Sequence, residues 1–192
     1  MSDHGFHVHG PHDHELEHAA HSIAKHPSSG TIAVATAVLA TVGAIFSYMG
    51  GATQANAGLY KNNAAIKKTE ASNQWNYYQA KSGKQNLAEV ALVLVSEDKR
   101  AGFKEEVDRY QKEKAAIKVD AEKLEAEATD WDKQSEAQMH LHHRWAQATT
   151  ALQISIALAA MTLLTGRKWL EWGMFSMAGL GVALGAMALA HL

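Results

Sequence analysis

A chain of 192 residues with 18 Lys and Arg against 20 Asp and Glu carries too little net charge to draw it to nucleic acid or to an anionic substrate. It has no cysteine, which excludes disulfides, thiolate metal sites, Cys nucleophiles and iron–sulfur clusters. Both of its prolines, Pro11 and Pro27, precede the first apolar run, so every later segment is free to form a long unbroken helix.

Residues 1–30 read as a disordered, histidine-rich tail, with Gly5, Gly10 and Pro11 interrupting any periodicity. His4, His7, His9, His12, His14, His18, His21 and His26 are interleaved with Asp3, Asp13, Glu15 and Glu17. Imidazole mixed with carboxylate suits Zn, Ni or Cu, although the irregular spacing specifies no one coordination set. The plainer account is a solvated tail whose positive charge rises on acidification.

Thr31 to Met49 is uncharged and long enough to cross a ~30 Å hydrocarbon layer at about 1.5 Å per residue, so residues 31–50 are predicted to be a first transmembrane helix. Ala33, Ala37, Ala40, Ala44, Ser47 and Gly51 recur at four- and three-residue steps, a flat seam suited to close helix approach. Ala55-Asn56-Ala57 resembles a signal cleavage site, but the preceding polar region is long and acidic, which argues against that reading.

Residues 51–147 are predicted to fold as an antiparallel coiled-coil hairpin turning at about 97–102. The first arm offers a weak seam of Leu59, Asn63, Ile66, Glu70, Asn73, Tyr77, Ala80, Lys84, Leu87, Ala91 and Leu94. The second has a better one in Phe103, Val107, Tyr110, Lys114, Ile117, Ala121, Leu124, Ala128 and Trp131. Bases exceed acids by three from Ala52 to Ser96, and acids exceed bases by three from Phe103 to Gln147, so facing arms attract. Reversal near Lys99 places Trp75 near Leu124. Trp75, Tyr77 and Tyr78 lie among Asn and Gln, a composition that suits either a partner-binding patch or packing inside the rod.

His140, His142 and His143 precede Arg144 and Trp145, where the second arm is expected to meet the membrane; an interfacial anchor is favoured over a ligand site. Residues 148–165 are predicted to be a second span, in which Gln153 needs an interhelical hydrogen bond. A short basic and aromatic loop, 166–172, carries Arg167, Lys168, Trp169 and Trp172 as further anchors, and 173–190 forms a third span whose Gly181 and Gly185, at GxxxG spacing, are expected at an interface with a partner. The positive-inside bias of Arg167 and Lys168 puts the loop and the N-terminal tail in the cytoplasm and the hairpin in the periplasm of a bacterial inner membrane, while Lys61, Lys67, Lys68 and Arg144 pull the other way.

The segment Ala71-Ser72-Asn73-Gln74-Trp75-Asn76-Tyr77-Tyr78-Gln79-Ala80-Lys81 resembles the signature of a bacterial membrane family, domain of unknown function 4337. The order of tail, span, charged helices and two closing spans is similar over almost the whole chain. The resemblance implies an architecture and brings no activity or catalytic residues. No Walker, GxGxxG, HExxH or GxSxG motif is present, and the spans hold no buried ionisable residue for a relay. The expectation is therefore an all-α, three-span, non-enzymatic structural or accessory protein of the bilayer, acting as a homo-oligomer or as a subunit of a larger complex. The alternatives are a metal-binding or metal-sensing protein using the histidine tail, and an oligomeric channel.

Overall fold

The computed structural model describes residues 29–190, so the histidine tail and the metal ligands expected there lie outside the described residues. Among the described residues the chain is entirely helical: α1 is Ser29–Leu94, α2 is Glu97–Thr165 and α3 is Lys168–Leu189. All three are long and apolar enough to cross a membrane.

The connections are shorter than the sequence suggests. Only Val95 and Ser96 separate α1 from α2, and the polar run from Glu97 to Gly102, expected to form the turn, is the first part of α2. Glu97 and Asp98 occupy the first turn, where carboxylates favour the positive end of the helix dipole. Ser96 Oγ donates to the Asp98 carboxylate, and Arg100 lies 3.4 Å from Glu97. The expected loop at 166–172 shrinks in the same way to Gly166 and Arg167. Gly166 ends α2 at φ 64°, with its N–H donating to the Thr162 carbonyl at 2.8 Å. That left-handed cap favours glycine, and it lets Lys168 begin a new helix at once.

The helices contribute to two compact units. One contains α1 as far as Gly51, α2 from Leu141, and α3. Its core joins Phe46, Trp145, Ala148, Leu152 and Ala188 in one cluster and Ile32, Ala159 and Met174 in another. Phe46 and Trp145 meet at 5.2 Å between ring centres, tilted by 53°. α1 therefore turns Ile32, Gly43, Phe46 and Gly50 inward, and the small-residue row of Ala33, Ala37, Ala40, Ala44, Ser47 and Gly51, expected to be the packed seam, is exposed. Complementary shape decides this: Gly181 and Gly185 on α3 supply the hollows that Leu152 and Phe46 fill.

Several hydroxyls in these apolar stretches are satisfied locally, while the buried Thr149 hydroxyl has no hydrogen-bond partner among the described residues. Thr36, Thr41, Thr150 and Thr162 each donate to the carbonyl four residues back. The interhelical bond expected of Gln153 is made instead by Ser155, whose buried hydroxyl donates to the Met174 carbonyl at 2.8 Å, while Gln153 is exposed.

The other unit is Ala52–His140. Within it α1 and α2 touch in opposite senses: Lys61 pairs with Asp132, Lys67 with Glu127 and Lys81 with Glu113, so partner numbers fall on α2 as they rise on α1. The α2 side of this contact follows the repeat read from sequence, with Ile117, Ala121 and Ala128 buried. The α1 side does not. Its packed row is Ala57, Tyr60, Ala64, Lys67, Ala71, Gln74, Tyr78, Lys81, Gln85 and Ala88, one residue further along than the predicted seam. Small alanines let the two backbones approach, an arrangement the bulkier Leu and Ile row cannot match. Those bulky residues stay outside: Leu59 is 55% exposed, Ile66 48%, Tyr77 51%, Leu87 71% and Leu94 79%.

Candidate interaction surface

The polar middle of the Ala52–His140 unit is a satisfied layer. Lys81 Nζ lies 2.5 Å from the Glu113 carboxylate and 5.2 and 5.5 Å from the ring centres of Tyr77 and Tyr110. A cation over an aromatic face is attracted by the ring quadrupole, so the two tyrosines and the carboxylate hold this ammonium together. Lys114, the polar exception in the α2 repeat, donates to Gln85 at 3.1 Å and sits 5.0 Å over Tyr78.

Electrostatics follow the pairs. The hydrogen bond from Lys81 holds the Glu113 carboxyl below its ordinary range, and the same bond raises Lys81. Lys61 is raised by its bond to Asp132, and Lys67 by its bonds to Glu70 and then Glu127. Each lysine is thus fixed in its charged form by a carboxylate on α2 or, for Glu70, on its own helix.

Beside this layer runs an open groove of about 760 Å³, with Lys61, Ala64, Ala71 and Trp75 on one side and Glu125, Ala128 and Asp132 on the other. Trp75 Nε1 donates to Glu125 at 2.8 Å, and its ring meets Tyr78 edge-on at 5.7 Å. The groove exists because Ala64, Ala71 and Ala128 leave space that larger side chains would fill.

The three aromatics singled out from sequence therefore part company. Tyr78 lies in the packed row beneath Lys114, Trp75 lines the groove, and Tyr77, placed on the seam by the sequence reading, is half exposed with its ring against Lys81. Gly181 and Gly185, expected at an interface with a partner, are packed within the chain: a Cβ on Gly181 would lie 2.8 Å from Leu152, and one on Gly185 would lie 2.3 Å from the Phe46 ring.

Of the expected membrane anchors, Arg167, Lys168, Trp169 and Trp172 are exposed and Arg144 is half-buried. Trp145 is only 3% exposed and belongs to the core beside Phe46, so it is not an interfacial anchor. His142 Nδ1 lies 2.9 Å from the Gly50 carbonyl and its ring 5.8 Å from His143, while His140 is exposed. Among the described residues no three His, Asp or Glu side chains gather as a metal site.

What the sequence reading missed was the outward row on α1. The signal was present: leucine or isoleucine at 59, 66, 87 and 94, read as the inner seam when it is the outer one.

No curated protein and no solved structure matches the chain. The model of the family described as Domain of unknown function (DUF4337) matches residues 28–191, nearly all of the sequence, and the chain belongs to that family.

Proposed function

We propose that this is a non-enzymatic structural or accessory membrane protein, working through helical self-association or as a subunit of a larger membrane complex. In this reading the apolar parts of α1, α2 and α3 are three spans of a bacterial inner membrane, and Ala52–His140 is an antiparallel coiled-coil hairpin between the first and second. Arg167 and Lys168 favour a cytoplasmic side for the α2–α3 connection and a periplasmic one for the hairpin.

The observation that carries the reading is the outward row of Leu59, Ile66, Leu87 and Leu94. Large apolar side chains set at helical spacing on a unit already packed through its alanine face are what a helix presents to another helix. Crosslinking in native membranes followed by mass spectrometry tests this. Self-links or links to one recurrent partner through Ala52–His140 are expected. A monodisperse monomer in mild detergent, with no partner captured in the membrane, overturns the proposal.

A further inference from the structure

We propose, resting on that reading, that the cleft between α2 and α3 is a binding site for one glycerophospholipid, with its phosphate at His143, an acyl ester at Gln147 and one acyl chain lying along the helices below. A groove of about 480 Å³ runs there, with His143, Gln147, Thr150 and Ile154 along α2 and Leu184 and Met177 along α3. All of these residues belong to the unit that holds the apolar stretches.

Depth selects the ligand. From Arg144, the last charged residue before the apolar run, to Thr165 at the end of α2 is about 31 Å at about 1.5 Å per residue, one hydrocarbon layer, so its middle lies beside Ile154. From His143 to Ile154 is about 16 Å on the same rise, half of that thickness. A groove that opens at headgroup level and stops at the midplane has the depth of one leaflet, which is what one acyl chain reaches. A further transmembrane helix would lie along the whole span instead.

Polarity follows the same order. His143 and Gln147 are exposed at the shallow end, where a ring N–H and an amide N–H can donate to phosphate and ester oxygens. Deeper in, the Thr150 hydroxyl is taken up by the Ala146 carbonyl at 2.8 Å, so the groove below Gln147 presents no free donor. Ile154, 44% exposed, and half-buried Met177 form the apolar deep end. A mostly apolar cleft with a few polar groups at one end is the form of a site for an amphiphile. Nothing at that end repels a phosphate: the one carboxylate among the described residues of this unit, Glu171, lies in the first turn of α3, at the other end of the α2 span.

The test uses the full-length protein, extracted in mild detergent, stripped of lipid by washing and titrated with phosphatidylglycerol while native mass spectrometry counts the bound molecules. One lipid per chain, bound saturably, is expected. Thr150→Phe fills the groove and should weaken binding at least roughly tenfold, whereas Gln153→Phe, exposed on α2 outside the groove, should leave it unchanged. His143→Ala and Gln147→Leu each remove one donor and should each weaken binding roughly two- to tenfold, a readout that stands even where Thr150→Phe does not fold. The same lipid carrying a diazirine near the end of one chain should label α2 near Ile154 or α3 near Met177.

Unsaturable binding, with label spread evenly over exposed span residues such as Val34, Val38 and Leu164, is ordinary bilayer contact and overturns the site. So does a Thr150→Phe chain that binds as the wild type does. A disulfide between copies at Thr150→Cys in liposomes, above the background of Gln153→Cys, makes the groove an interface between chains and also overturns it. Each of these results leaves the structural reading standing, and a chain that stays out of membranes altogether defeats both.

Discussion

Gly185 gives the sharpest test of the packing. A Cβ there would lie 2.3 Å from two carbons of the Phe46 ring, where a comfortable separation is about 3.5–4.0 Å, so Gly185→Ala forces the ring to move by more than an ångström. The ring has little room: Phe46 is 9% exposed and packs against buried Trp145 at 5.2 Å between ring centres. Two effects oppose each other. Alanine improves helix propensity by about 1 kcal/mol over glycine, whereas overpacking a filled core costs roughly 1–3 kcal/mol. With the ring forced so far, the clash should win by up to about 2 kcal/mol, which at roughly 2–4 °C per kcal/mol for a chain of this size lowers the melting temperature by up to about 8 °C. The assay is thermal unfolding of the full-length protein in mild detergent, followed by far-UV ellipticity. Gly179→Ala is the control on the same helix, because nothing lies within 4 Å of a Cβ there and it should be neutral or slightly stabilising. Phe46→Leu removes the outer ring atoms, so adding Gly185→Ala in that background should cost nothing further, a coupling of about 1–3 kcal/mol that equals the relieved clash. If Gly185→Ala melts at or above the wild type in both backgrounds, α3 does not seat on Phe46 as described.

Ala121 is fully buried between α1 and α2, and Ala121→Leu should cost about 1–3 kcal/mol in denaturant titration while Ala116→Leu on the exposed face changes little. Ser135→Ala removes the donor to the Ala57 carbonyl at 2.8 Å and should cost roughly 0.5–1.5 kcal/mol, a bond a single chevron or melting series resolves. For Lys81 and Glu113, a carboxyl held low contributes stability that is complete above its ordinary value of 4.5 and fades as pH falls through the depressed one. A lysine held high contributes stability that is complete below its ordinary value of 10.5 and fades as pH rises through the raised one. Wild type minus Glu113→Gln should therefore show a plateau between those limits that shrinks towards both acid and alkali, and a flat difference across acid pH contradicts the pair.

The sequence alone determined that the chain is helical, where its three apolar stretches fall, and the inner face of α2. Periodicity suffices for these because α2 puts Phe103, Tyr110, Ile117, Leu124 and Trp131 on one side and charge on the other, leaving one way to face inward. On α1 it does not suffice. That helix carries two rows a residue apart, alanine-rich at 57, 64, 71 and 88 and Leu or Ile at 59, 66, 87 and 94, and nothing local says which is covered. Only the tertiary structure chose: alanine brings the two backbones close enough for Lys81, Glu113, Tyr77 and Tyr110 to form one layer, and the Leu and Ile side chains of the other row are left outside. The same rule placed Gly181 and Gly185 against Leu152 and Phe46 rather than against a partner, because a hollow is filled by whichever bulky side chain the fold brings opposite it, and sequence spacing cannot say which one that is.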